Sequence, residues 1–474
     1  MLSKERRYCM NRYIIDRDEY YVRIAQIFKG RLENIWIEEI DNNPKVGDIY
    51  VGRVEKVLSK NNFAFINIGA SRNAFVGLNS ENRYIKSGDF IIVEVTKEEV
   101  EDKGAVVTEK FNIPGAYCVL SAKDNKINFS RNYKGMITEK DIKNILDINK
   151  FGLVIRTAAN EITLNELKEE VKQLENIYID IVTRGEYSST PGLLYRGNEL
   201  VTKTLKKVFN EQCEIVVNSN IDYKNIKKFI EEYKLDLINV KLYSECKGIF
   251  KAFEIESEIL GILEKKVKLA GGGDLLINKS AAIASIDVNS GSSNIGKNKE
   301  DMILGTNIEA AKECARQIRL RNLSGIIIVD FINMRKFENN KKLKLEFEKE
   351  MEKDLNKSTV YNTTELNLMQ VTRRRQGNDI YSILLEKEEG KYYSIERVKF
   401  KYLMKLIRDE IREEYENNIR LFKISVNSAY ERENIEKIKE TIQKNFNEKI
   451  KIKLEFENKI DLVEVKAIKF LSRF

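Results

Sequence analysis

The chain reads as a multidomain α/β and α+β protein, and three patterns carry that reading. Short alternating strands broken by Gly, Asn and Asp run through 45–131. Helix and strand patterns then alternate over 139–243, and a strand–helix–strand unit fills 271–333. At about 150 residues per domain, 474 residues suggest roughly three domains.

The first region holds strands expected at 49–54, 63–68, 74–76, 90–96, 105–108, 116–120 and 126–130, the length and spacing of a small OB-type antiparallel barrel. Barrels of this kind stack bases on aromatic side chains and meet phosphates with lysines. Phe65 and Phe75 are candidates for the first role, Lys97 and Lys103 for the second. The competing reading is that a strand Phe belongs to the core.

Next come a helix at 141–148, a strand at 152–157 and a long amphipathic helix at 164–183. Helix, strand, helix and strand follow at 200–210, 213–218, 223–233 and 240–243. Arg156 and Thr157 close an apolar strand, and a guanidinium beside a hydroxyl can clamp a terminal phosphate. An ordinary surface Arg is the other reading.

The richest segment begins at the triplet Gly271-Gly272-Gly273. It continues through apolar strands at 275–277 and 281–290, a helix at 307–322 striped with Ile308, Ala311, Ala315 and Ile318, and a strand at 325–333. A β-α-β order predicts parallel strands, and ligands gather outside the carboxyl ends of such strands. Asp287 and Asp330 each stand late in their strand. Two carboxylates there repel unless a positive charge lies between them. The oxygen-only set Asp287, Asn289 and Asp330 suits magnesium, with manganese as the alternative, rather than zinc. Against this, strand-end Asp residues also cap turns or pair with arginines, and Arg316, Arg319 and Arg335 are near in sequence.

After a charged helix at 340–357 and a strand at 366–371 comes Thr372-Arg373-Arg374-Arg375, a basic cluster suited to phosphates and equally common as plain surface. A polar, Gly-containing stretch at 386–393 reads as a linker. The tail shows a helix at 398–414 and a β-α-β piece at 421–426, 433–446 and 450–456, with no recognisable chemistry.

Composition narrows the chemistry. The chain has no histidine, which excludes Ser-His-Asp triads, paired-His ribonuclease chemistry and HExxH zinc sites. Eighty-two basic against 74 acidic residues give +8, compatible with a polyanionic partner. Five scattered cysteines, never as CxxC, argue against a disulfide framework or thiolate zinc site. No apolar run is long enough to span a membrane, and the N-terminus lacks a signal-peptide core, so a cytoplasmic location is expected.

The segments Ala284-Ser-Ile-Asp287-Val-Asn289-Ser290 and Ile-Ile-Val-Asp330-Phe-Ile-Asn333-Met334, joined by the helix from Thr306 to Arg321, strongly resemble the ribonuclease E/G family in its short form. The likeness extends over about 14–412. It implies a split RNase H-like subdomain, 1–38 and 203–266, enclosing an S1 RNA-binding barrel at 39–123 and a 5′ sensor at 124–202. A DNase I-like catalytic subdomain follows at 267–384, with a linker at 385–397 and a small C-terminal α/β domain at 398–474.

By the same resemblance, Asp287 and Asp330 match magnesium ligands and Asn289 the asparagine that positions substrate or metal. Arg156 and Thr157 match the pair that grips a 5′ monophosphate; Phe65, Phe75, Lys97 and Lys103 match RNA contacts of the barrel. Arg373 and Arg375, in the Thr-Arg-x-Arg motif, are further RNA-binding candidates. The implied activity is magnesium-dependent endonucleolytic cleavage of single-stranded, A/U-rich RNA to 5′-phosphate and 3′-hydroxyl ends, stimulated by a 5′ monophosphate. The implied substrates are ribosomal RNA precursors and messenger RNA. A non-catalytic RNA-binding or ribosome-assembly factor is the alternative.

Two departures from the family pattern stand out. Arg375 is followed by Gln-Gly-Asn-Asp-Ile-Tyr where the family has Cys-Pro-x-Cys, so zinc is not expected and any homodimer should form without a zinc link. Asn333 replaces an aspartate. Residues 1–9 read as an extension, with Met10 an alternative start.

Overall fold

The computed structural model describes residues 10–467 except 42, 79–83, 100–102, 146–150, 198–199, 209–210, 234, 281–282, 292–298, 376, 390–393, 417, 431–434, 447–448 and 458–462. The extension read at 1–9 lies outside the described residues. The chain forms two compact units: Met1–Ile40 together with Glu211–Phe474, and Asp41–Asn210.

The first unit opens with an antiparallel meander, β1 (Asn11–Arg17), β2 (Tyr21–Phe28) and β3 (Arg31–Glu39). Lys29 and Gly30 both take positive φ, 52° and 76°, as a two-residue hairpin turn requires.

The second unit contains β4 (Ile49–Leu58), β5 (Phe63–Asn67), β6 (Ala74–Gly77), β7 (Phe90–Lys97) and β8 (Val106–Thr108). They pair in the order β4-β5-β6-β8-β7, and β7 returns to β4, closing a five-stranded barrel. Alternation sorts its faces: Ala64, Ile66, Ala74 and Val76 are buried, while Phe63, Phe65 and Phe75 point out and stay partly exposed. Then β9 (Asn112–Pro114), β10 (Cys118–Ala122), β11 (Ile127–Phe129) and β12 (Phe151–Ile155) form a separate sheet, ordered β11-β12-β10-β9. The strands expected near 116–120 and 126–130 therefore leave the barrel series, because both pair with β12, a partner far along the chain. The helix Leu164–Glu186 starts at a capping box in which Thr163 and Glu166 satisfy each other's backbone N–H groups. After it β13 (Gly192–Tyr195) pairs with β4.

Back in the first unit, β14 (Cys213–Val217) lies parallel to β1, and β15 (Ile238–Leu242) parallel to β14, completing the order β15-β14-β1-β2-β3. A second, mixed sheet runs β16-β17-β18-β19-β21-β20, from β16 (Lys266–Lys268), β17 (Asp274–Lys279), β18 (Ile283–Asn289), β19 (Gly325–Asp330), β20 (Ser358–Val360) and β21 (Leu368–Arg373). Only β18 and β19 are parallel, joined through the helix Lys299–Leu320. Ala311, Cys314, Ala315 and Ile318 of that helix pack on Ile286, Val288, Ile327 and Val329, leaving the opposite sheet face exposed.

The stretch expected as a linker contains a hairpin, β22 (Leu385–Glu389) with β23 (Ser394–Val398). A polar run can form such a ribbon when its charges meet across it, as Glu386 and Arg397 do at 2.9 Å. The helix Phe400–Glu416 follows, then β24 (Leu421–Asn427), the helix Ile435–Asn445, β25 (Lys451–Glu457) and an unanticipated β26 (Val463–Ala467), ordered β25-β24-β26. The helix Phe400–Glu416 has two apolar faces. Tyr402 and Leu406 join Ile14, Tyr21 and Ala25, while Leu403, Ile407 and Ile411 pack on Phe422 and Ile424.

Candidate active site and RNA-binding surfaces

Asp287 and Asp330 are direct partners in the parallel pairing of β18 and β19. Neighbouring strands lie about 4.8 Å apart, so the two carboxylates emerge side by side from the exposed face of the sheet. Asn289, two residues on, shares that face, and its Nδ2 donates to Asp287 Oδ2 at 3.0 Å. The same Nδ2 reaches Asp274 Oδ1 at 3.4 Å. Asp274, at the start of β17, faces Asn289 across the antiparallel pairing and is ion-paired to Lys266 at 2.9 Å. Local pattern gives no sign of it, since only the register of β17 against β18 brings it to the site.

The glycine triplet lets the chain close over this corner. A Cβ at Gly273 would lie 2.5 Å from the Asn289 carbonyl oxygen, and one at Gly291 would lie 1.9 Å from that of Gly272, which itself has φ 95°. Beyond Asp330, the buried Asn307 clamps the backbone of Ile332, donating to its carbonyl at 2.8 Å and accepting from its N–H at 3.0 Å. Glu300 accepts the N–H groups of Lys336 and Arg335 at 2.9 Å each, and those bonds hold its carboxyl below the usual range. The intervening segment, with the exposed Asn333, is thereby tied to the helix Lys299–Leu320.

Two of the arginines near the acids in sequence, Arg316 and Arg319, are engaged elsewhere. Arg316 binds the Leu32 carbonyl, Glu313 and Glu258, and Arg319 binds Glu33 and the Glu350 carbonyl. Arg335 is exposed. Among the described residues, no Lys or Arg forms an ion pair with Asp287 or Asp330, and no group of three or more His, Cys, Asp or Glu side chains is arranged to hold a metal. What the corner offers is two adjacent carboxylates, oxygen donors that fit a hard divalent cation completing its shell with water, with the Asn289 amide nitrogen turned toward Asp287.

The basic cluster divides. Arg373 is buried; its Nε meets Asp354 at 2.6 Å, and its Nη1 donates to Asn322 Oδ1 at 2.7 Å and the Leu323 carbonyl at 2.9 Å. Its guanidinium is thus held inside the fold, whereas Arg374 and Arg375 are exposed.

On the barrel, Phe65 and Phe75 are cross-strand partners. Phe63 joins them, its ring centroid 5.4 Å from that of Phe65 and 6.5 Å from that of Phe75, edge-to-face in both cases. The alternation Phe63-Ala64-Phe65 is the sequence signal for this third aromatic. Lys97 ends β7 and Lys103 precedes β8; both are exposed.

Arg156 leaves the end of β12 half-buried, with its N–H on the Tyr117 carbonyl and its Nη1 on that of Gly115, at 2.8 and 2.7 Å. The exposed Thr157 hydroxyl lies 3.0 Å from that of Ser130, which follows β11. The parallel pairing of β11 with β12 brings those two hydroxyls together.

The closed barrel with its aromatic face suits nucleic-acid binding, and similarity to known proteins gives the class, an endoribonuclease. Residues 112–376 match the ribonuclease E/G family, and the chain belongs to it. It is similar to ribonuclease G of Salmonella typhimurium (strain SL1344) and of Escherichia coli (strain K12), 28% identical to each over 416 residues, 81% of this chain and 85% of the relative. Ribonuclease E of Synechocystis sp. is 28% identical over 383 residues, 76% of this chain and 56% of the relative. Among the described residues, no helix is long and apolar enough to cross a membrane.

Proposed function

We infer that the enzyme hydrolyses single-stranded RNA at the Asp287–Asp330 corner with the help of a hard divalent cation, magnesium or manganese, leaving 5′-phosphate and 3′-hydroxyl ends. The observation that carries this is the register that sets Asp287 against Asp330, with no cation among the described residues paired to either. A cation bound there supplies an activated water and offsets charge on the leaving oxygen. The chain's own part is to hold two carboxylates rigidly at one sheet level and to orient Asn289. With its Nδ2 turned to Asp287 and Asp274, the amide oxygen of Asn289 is directed away from both acids, where it can accept from substrate or water.

Phe63, Phe65 and Phe75 offer splayed bases an aromatic face, which a duplex cannot use, and Lys97 and Lys103 meet the backbone. Arg156 and Thr157 grip a 5′ monophosphate, making the enzyme responsive to earlier cleavage. Of the basic cluster, Arg375 rather than the buried Arg373 is the RNA contact. The strand order β15-β14-β1-β2-β3 supports one RNase H-like subdomain assembled from 1–38 and 203–266. A cytoplasmic role on A/U-rich ribosomal RNA precursors and messenger RNA fits this chemistry, as does assembly without a zinc link, since no cysteine follows Arg375.

The test is cleavage of a short 5′-monophosphorylated oligonucleotide with and without Mg²⁺. Metal-dependent cutting that disappears in Asp287→Asn is the expected result. RNA binding with no cutting under any divalent metal would favour the RNA-binding or assembly factor.

A further inference from the structure

The turn between β9 and β10 is built around a buried carboxylate. Glu170, 1% exposed on the helix Leu164–Glu186, accepts the backbone N–H groups of Ala116, Tyr117 and Cys118, the last two at 2.8 and 2.9 Å. Three successive N–H groups converging on one anion form a nest. The approach requires Gly115: a Cβ there would lie 2.7 Å from the Glu170 carboxyl and 2.8 Å from the Cys118 carbonyl oxygen. Two cations bind the neighbouring carbonyls of this turn, Lys206 that of Pro114 and Arg156 that of Gly115. One carboxylate, its oxygens already occupied by backbone donors, thus faces two cations at the turn. Arg156 precedes Thr157, whose hydroxyl lies 3.0 Å from that of Ser130, so one of these cations stands next to the paired hydroxyls.

We propose that Glu170 and Lys206 belong to the 5′-phosphate pocket: Glu170 is a positioning residue that fixes Arg156 through the 115–118 turn, and Lys206 is a second cation for the phosphate. This rests on the reading of Arg156 and Thr157 as the phosphate grip. Burial, opposed by Glu170 and reinforced by Arg156, pushes the Lys206 ammonium down to about 8, a cost that an incoming phosphate dianion would offset.

The experiment compares kcat/KM for matched 5′-monophosphate and 5′-hydroxyl oligonucleotides. Lys206→Met should reduce the ratio of the two by about tenfold, mainly through KM for the phosphorylated substrate, and Lys206→Arg should recover most of it. Glu170→Gln should also reduce the ratio, with circular dichroism reporting on its fold. A ratio that stays at the wild-type value in Lys206→Met, or falls equally in Lys206→Met and Lys206→Arg, overturns the proposal. Arg156→Ala separates the two levels. If Arg156→Ala abolishes the preference while the Glu170 and Lys206 variants keep it, the pocket stands and these two residues lie outside it. If Arg156→Ala keeps the preference, the pocket itself is refuted.

Discussion

Two sets of strand-end acids in the first unit begin alike and end differently. Asp16 lies near the end of β1, just past its parallel pairing with β14, as Asp287 and Asp330 lie near the ends of the parallel pair β18 and β19. Asp16 is buried and surrounded by donors: Arg23 Nε at 3.0 Å, Lys405 Nζ at 3.0 Å and Asn218 Nδ2 at 2.6 Å. Lys405 is itself shared with Asp18 and Asp409, at 3.0 and 2.7 Å. Burial alone would raise the Asp16 carboxyl, but Lys405 and Arg23 overcome it and hold the group below the usual carboxylate range. Burial, reinforced by Asp16, pushes Asp409 up instead. Asp287 and Asp330 are exposed and receive no such cation from the described residues. A strand-end aspartate is structural when the protein supplies its counter-charge, and becomes a candidate cation site when the fold leaves the counter-charge to the solvent.

Substitutions should separate the two groups. Asp287→Asn or Asp330→Asn should lower cleavage at least about a thousandfold, the loss of roughly 4 kcal/mol of transition-state stabilisation, with the thermal midpoint held or slightly raised as repulsion is relieved. Oligonucleotide cleavage and calorimetry check this; retained activity in either variant removes the metal assignment. Lys405→Met should do the reverse, costing about 3–5 kcal/mol of stability by leaving buried carboxylates uncompensated, while folded enzyme still cuts RNA. Denaturant titration reads the cost.

The pH response follows from the same contrast. Because Asp16 is held below its unfolded value, its contribution is present above about pH 4 and is lost as pH falls through the folded value. Stability should therefore decline on acidification below about pH 4, and less steeply in Lys405→Met, as read from unfolding midpoints between pH 7 and pH 3. The smallest effect is expected at the basic cluster. Arg375→Ala should weaken RNA binding a few-fold and reduce the salt slope by about one. Arg373→Ala, by contrast, should unfold more readily, since it strands the buried Asp354.

Part of the fold and of the site is legible in local pattern. The apolar runs around Asp287 and Asp330 are long and the helix between them carries its apolar stripe, so strand, helix and strand can be read from the order of residues. Alternation in Phe63–Asn67 likewise marks an outward aromatic face. Other features are hidden because they depend on partners far along the chain. Arg373 looks like surface until Asp354 and Asn322 enclose it. The hairpin at Leu385–Val398 looks like a linker until Glu386 meets Arg397. Asp274 is an isolated acid until β17 is laid against β18.

Sequence alone narrowed the candidate chemistry: the chain has no histidine and no closely spaced cysteines, and two aspartates stand near the ends of apolar strands. Tertiary structure decided which acids were left to use it. Counter-charge is a matter of distance in space, and Lys405 reaches Asp16 across almost 400 residues of chain, whereas Arg316 and Arg319, close in sequence to Asp287 and Asp330, turn inward to other partners.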